Sequence, residues 1–194
     1  MKKFGKLVGK MAIFVLIVAL LMPHSAFAAT QLATPSFSQV SKTSSSITVY
    51  WSSVSGATGY RVKFDGEQGY TNVSSTSFSK GGLTPDTYYT FEVQAYGTGY
   101  TDSNWAYIGH YTLLSTPSIT SVSATRTSIT INWTPIDWAT SYQIRADSTN
   151  KSSTTTSYTH TDLTPGTSHT YKVRAINPYN YSEYSSMATV STLP

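Results

Sequence analysis

The chain has 194 residues, no cysteine and a formal net charge of +4. Four of its thirteen basic residues are Lys2, Lys3, Lys6 and Lys10, so residues 29–194 hold nine basic against nine acidic side chains. Neutrality past residue 28 excludes charge-driven binding of nucleic acid or of an anionic membrane. The missing thiols exclude a disulfide scaffold, thiolate catalysis and Cys-ligated zinc or iron–sulfur centres.

Residues 1–28 are predicted to be a signal peptide. A lysine-rich start leads into the twelve-residue apolar run Met11–Met22, then Pro23-His24, then Ala26-Phe27-Ala28 in a small-x-small cleavage pattern. A membrane anchor is the rival reading, but it needs roughly 18 apolar residues. The expectation is a secreted or extracellular chain with no stable membrane insertion after cleavage; cell-surface association stays open. Residues 29–34 are expected to be a short tail.

The remainder reads as two copies of one unit, at 35–112 and 117–194, with a linker at 113–116. Shifting the chain by 82 residues lays Pro35–Trp51 on Pro117–Trp133 with nine of seventeen positions identical. Units of about 80 residues are tandem domains rather than solenoid repeats. Ser and Thr supply 60 of residues 29–194, and all 15 tyrosines lie there, a composition that suits strands over helices. Each unit alternates with period 2, the mark of strands buried on one face. Ile47, Val49 and Trp51 share a face, followed by Tyr60, Val62 and Phe64, then Phe91, Val93 and Ala95. The second copy repeats this with Ile129, Ile131 and Trp133, then Tyr142, Ile144 and Ala146, then Tyr171, Val173 and Ala175. The fold class is therefore all-β, two tandem seven-stranded antiparallel sandwiches. Trp51, Trp133, Tyr60, Tyr142, Leu83 and Leu163 are its expected core anchors.

Both units resemble the fibronectin type III domain, in the form common in bacterial secreted proteins. The residues that carry the likeness are Ile47-x-Val49-x-Trp51, Gly56-Ala57-Thr58-Gly59-Tyr60-x-Val62 and Leu83-x-Pro85-x-Thr87-x-Tyr89-x-Phe91-x-Val93-x-Ala95. Their second copies run through Ile129–Trp133, Ala139–Ile144 and Leu163–Ala175. The resemblance implies an immunoglobulin-like sandwich and a tyrosine corner, in which a tyrosine hydroxyl ties down the preceding turn. Tyr89 stands at that position in the first unit and His169 in the second. The second turn is therefore expected to be looser, and His169 offers a titratable group that is more simply a tolerated substitution.

Catalytic chemistry is sparse. No nucleophile elbow, phosphate loop or zincin motif occurs, and His110, His160 and His169 stand in no metal-ligand spacing. Asp65 and Glu67 flank Gly66 as a hairpin tip rather than an acid–base pair. The expectation is no catalytic residue, no metal and no cofactor.

Surface binding is the better hypothesis, so the loops decide. Strand parity puts the B–C and F–G loops of each unit at its N-terminal pole. In the second unit this gathers Trp138, Tyr179, Asn180 and Tyr181. They read either as an aromatic platform for a glycan or peptide, or as the contact with the first unit across the short linker. In the first unit Tyr100, Asp102 and Asn104 form the candidate ligand loop. The expected partner is an extracellular protein or polysaccharide, bound by a non-catalytic module. The alternative is a structural spacer or accessory of an extracellular enzyme or cell-surface complex.

Overall fold

The computed structural model describes residues 29–194. The expected signal peptide at 1–28 lies outside the described residues. Among them, no helix is long and apolar enough to cross a membrane.

Among the described residues, fourteen strands form two sandwiches of seven. The first contains β1 (Phe37–Lys42), β2 (Ser46–Trp51), β3 (Gly59–Phe64), β4 (Thr71–Val73), β5 (Ser77–Gly81), β6 (Tyr88–Tyr96) and β7 (Ala106–Tyr111). The second contains β8 (Ile119–Ala124), β9 (Ile129–Trp133), β10 (Ser141–Ala146), β11 (Thr149–Ser153), β12 (Ser157–His160), β13 (Ser168–Ile176) and β14 (Ala188–Ser191). Each sandwich stacks a three-stranded sheet, β1-β2-β5 or β8-β9-β12, on a four-stranded one, β4-β3-β6-β7 or β11-β10-β13-β14. All strand pairs within these sheets are antiparallel.

Alternation in the sequence becomes alternation in burial. In β2 every second residue from Ile47 to Trp51 is buried, and β9 repeats this from Ile129 to Trp133. One strand face meets the opposite sheet while the other meets water. Trp51 and Tyr60 pack edge to face with centroids 5.4 Å apart, as do Trp133 and Tyr142. Leu83 and Leu163 are buried members of the two cores.

The tyrosines also fix loops. Tyr60 Oη accepts the backbone N–H of Val54 at 2.9 Å, and Tyr142 Oη accepts that of Ile136 at 3.0 Å. Each B–C loop is thus tied to the core beneath it. At the first E–F turn, Thr84 N–H donates to Tyr89 Oη at 3.1 Å, which is the tyrosine corner.

The segments read as tail and linker are more integrated than their sequence suggests. Leu32 and Leu114 occupy the same place in their respective domains and are both buried in the cores. Leu32 N–H donates to the Thr101 carbonyl at 3.0 Å, and Leu114 N–H to that of Tyr181 at 3.3 Å. Each domain therefore starts about three residues before its Pro35 or Pro117, with a leucine laid parallel to its own F–G loop. Leu32 and Leu114 stand outside any run of alternating apolar residues, so the periodicity of the strands does not extend to them.

Candidate functional site

Two places in the second domain bring together chemistry that its counterpart in the first domain lacks. One is the pole that faces the first domain; the other is the opposite end of the sandwich.

At the first, Ala139 N–H donates to the Ile136 carbonyl at 3.2 Å and closes a four-residue turn. Its third residue is Trp138, at φ +65°. The equivalent turn, Val54 to Ala57, has Gly56 there at φ +83°. Turns with a positive φ at this position favour glycine, because a Cβ crowds the backbone there. Trp138 accepts that crowding and gains no burial for it, being 78% exposed.

The neighbouring F–G loop is shaped by Asn177, whose Oδ1 accepts the Tyr179 N–H at 3.0 Å. The turn lifts Tyr179 to the loop tip, where it is 88% exposed. Tyr181 is 48% exposed and rests one face on the Arg174 guanidinium, 5.0 Å from the ring centre. Arg174 is itself held between Tyr181 and Tyr184.

Asn180 behaves differently from its aromatic neighbours. It is 5% exposed, and its Nδ2 donates to the Thr112 carbonyl and to Asp86 Oδ1. Asn177 Nδ2 donates to the other carboxylate oxygen of Asp86 at 3.0 Å. Asp86 sits at φ +48° in the E–F turn of the first domain, with its own N–H on the Leu113 carbonyl. The two sequence readings of this pole are thus divided by residue: Asn180 belongs to the contact between domains, while Trp138, Tyr179 and Tyr181 remain at the surface. A small cleft of about 130 Å³ lies where Trp138 and Asp137 meet Asp86, Leu114 and Ser115.

In the first domain the candidate loop is occupied by the chain itself. Thr101 pairs with Gln31 in a parallel bridge, Gln31 Nε2 donates to the Asp102 carbonyl at 3.1 Å, and it lies 3.5 Å from Asn104 Oδ1. The Asp102 carboxylate is ion-paired with Arg61. The Tyr100 ring lies over Gly56 so closely that a Cβ there would come within 2.7 Å of it. Segment 29–32 is thus docked on the candidate loop, whose own backbone groups bind it.

The second place joins Asp147, His160 and His169. Asp147 follows β10, and its Oδ1 accepts the Thr170 N–H at 2.8 Å and the Thr170 hydroxyl at 3.2 Å. Its Oδ2 meets His169 Nδ1 at 2.9 Å. The other nitrogen of His169 is 2.9 Å from Thr167 Oγ1, whose hydroxyl donates to the Thr164 carbonyl at 2.6 Å. His169 therefore does not make the tyrosine-corner bond; it turns toward Asp147 and Thr167. His160 Nδ1 is 3.1 Å from the hydroxyl of the buried Tyr171, and the two imidazoles lie edge to face at 5.6 Å. One ligand atom from each of Asp147, His160 and His169 lies within 4.8 Å of the other two.

The electrostatics follow from this packing. Burial alone would raise the Asp147 carboxyl, but the hydrogen bonds from His169 and Thr170 outweigh it and hold the group below the usual carboxylate range. Burial, then His169 and Lys151, push His160 below the ordinary histidine value against the opposing pull of Asp147. Burial, with the Asp147 charge, pushes the Tyr171 hydroxyl up to about 12.

No ligand spacing in the sequence marks this cluster, because its members come from a turn and two strands of different sheets. The signal lies in comparing the copies. By strand register and backbone bonds, Asp147 corresponds to Asp65, His160 to Lys80, His169 to Tyr89 and Tyr171 to Phe91.

A cleft of about 510 Å³ runs between β8 and residues 186–188 and is lined by no titratable side chain.

The fibronectin type III domain family matches residues 33–108 and 115–191. Among solved structures, the chicken CNTN1 FN1–FN3 domains are 20% identical with a TM-score of 0.50, covering 86% of this chain and 69% of that one. A two-domain fibronectin type III segment of chicken tenascin is 21% identical with a TM-score of 0.44, covering 83% of this chain and 99% of that one. No curated protein matches the sequence.

Proposed function

The chain belongs to the fibronectin type III family, and from that membership we propose that it is an extracellular, non-catalytic binding module. It recognises a neutral glycan through the exposed loop aromatics of its second domain. The observation that carries this reading is Trp138: an indole held at positive φ, in a glycine's place, with most of its surface in water. Nothing in the packing of the domain repays the crowding, so the benefit is sought outside the chain. Tyr179 and Tyr181 on the adjoining loop add ring faces, while Asp137 and Ser115 supply hydrogen-bonding groups beside the indole. Open ring faces without a deep apolar pocket suit sugar rings, which stack, better than a protein hot spot, which needs a pocket for its anchor.

A glycan and protein array probed with the purified chain tests this. Glycan binding is expected, lost in Trp138→Gly and Tyr179→Ala, and nearly unchanged between low and moderate salt because residues 29–194 carry no net charge. Loss in Tyr100→Ala alone would move the site to the first domain, and hits confined to proteins would replace the glycan by a protein partner.

A spacer role is the second reading, favoured by the bonds from Asn177 and Asn180 to Asp86 that tie the domains together. An array with no hits of either class would select it.

A further inference from the structure

We propose that Asp147, His160 and His169 form a binding site for a divalent transition metal, with zinc the ion that the ligand set suits. The site is independent of the loop aromatics and lies at the other end of the second domain.

The first support is the geometry around His169. Its Nδ1 lies 2.9 Å from Asp147 Oδ2, and its Nε2 lies 2.9 Å from Thr167 Oγ1, so the carboxylate and one ring nitrogen face each other while the other ring nitrogen has an oxygen partner. A ligating imidazole whose second nitrogen donates to an oxygen is the usual arrangement at metal sites, since the outer bond fixes the tautomer and aims the ring.

The carboxylate is equally prepared. Two bonds from Thr170 hold Asp147 Oδ1, which leaves Oδ2 aimed at the imidazole. His160 brings the third ligand, with its Nδ1 against the Tyr171 hydroxyl and its Nε2 left over.

Distances fit an ion with modest adjustment. Ligand atoms about 2.1 Å from a tetrahedral zinc stand about 3.4 Å from one another. The present atoms lie within 4.8 Å of each other, with the Asp147–His169 pair at 2.9 Å. Rotation of the His160 side chain by at most about 1.4 Å at the nitrogen therefore closes the set. Three protein ligands leave the fourth position to solvent, on the exposed side where Asp147 lies.

The two domains supply the control. Around the shared aspartate, the first domain has Lys80, Tyr89 and Phe91, none of which binds zinc in that setting. The second domain has changed all three. Two replacements are imidazoles, and the third, Tyr171, adds one hydroxyl to a fully buried ring, directed at His160. A buried hydroxyl is costly without a partner, so it belongs with the histidine it holds. Two imidazoles and one carboxylate are borderline ligands that favour zinc, copper or nickel over calcium and magnesium.

The test is titration of the chelator-treated full chain with zinc sulfate, followed by calorimetry and by the imidazole proton signals. About one zinc per chain is expected, with the His160 and His169 signals shifting together and with calcium without effect. Restoring the first domain's residues in His160→Lys or His169→Tyr keeps the fold, because the sister domain already folds around them. Each is expected to weaken zinc binding at least ~10-fold, as is Asp147→Asn. His110→Gln is expected to leave it unchanged. No saturable zinc binding, equal binding of calcium, or zinc affinity retained in both histidine variants would overturn the site.

Discussion

Trp138 carries a local backbone cost that no packing within the domain offsets. A bulky side chain at φ +65° costs about 1–3 kcal/mol, while glycine carries no such penalty. Trp138→Gly is therefore expected to raise the stability of the second domain by about 1 kcal/mol in urea unfolding. The same change is expected to abolish binding on the array. A variant less stable than the parent would show that the indole packs after all. The aspartates at positive φ need no such explanation. Asp65 and Asp147 occupy the same hairpin position in the two copies at +45° and +51°, a geometry that aspartate tolerates. His169 shows how one residue redirects a local network. Where Tyr89 reaches across to the Thr84 N–H, the imidazole turns to Thr167 and Asp147, exchanging a turn tether for a link to β10.

Among the described residues, β7 carries the one histidine outside the cluster. His110 lies opposite Tyr89 in the β6–β7 ladder and is half-buried. Burial, with Lys42 nearby, lowers its pKa below the ordinary value of 6.5. The unfolded chain thus takes up a proton more readily than the folded one. Stability contributed by the neutral ring is complete above 6.5 and declines as pH falls toward the lowered folded value. Acidification from pH 8 to 5 should therefore reduce the urea midpoint less in His110→Gln than in the parent. An equal fall in both would assign the acid sensitivity to other groups. At the same scale, the two F–G connections show why equivalent loops differ in exposure. Gly97 lets the first approach its B–C loop so closely that a Cβ would meet the Gly56 carbonyl at 2.2 Å, and Tyr100 folds down over Gly56. Asn177-Pro178 in the second builds a side-chain turn that lifts Tyr179 clear.

For the whole molecule, one carboxylate gathers two of the side-chain bonds between the domains. Asp86 receives both Asn177 and Asn180, and its counterpart in the second domain is Gly166 at φ +72°. The bonds to this charged acceptor are the stronger kind, worth about 1.5–3 kcal/mol each where shielded from water. Asp86→Ala is expected to leave each domain folded and to broaden the range of interdomain angles, read by residual dipolar couplings or small-angle scattering. Unchanged couplings would place the restraint on the bond from Asn180 Nδ2 to the Thr112 carbonyl instead. Because Trp138 borders the same seam, a change in hinge angle also changes how the indole is presented.

The strand faces, the repeat and the large core anchors were readable because each depends on neighbours two residues away, or on a copy elsewhere in the same chain. Ile47, Val49 and Trp51 announce their face by spacing alone, and Trp133 by likeness to Trp51. The positive-φ site could also be anticipated in part, since Trp138 aligns with Gly56. Leu32 and Leu114 could not, because neither belongs to an alternating run. Nor could the division of the polar end: Asn180 and Tyr181 are adjacent, yet one is buried against Asp86 and the other faces water, which depends on how the first domain docks. Asp147, His160 and His169 are silent as a sequence motif. Two stacked sheets bring them together across separations of up to 22 residues, and lone pairs interact over a few ångströms of space whatever the distance along the chain.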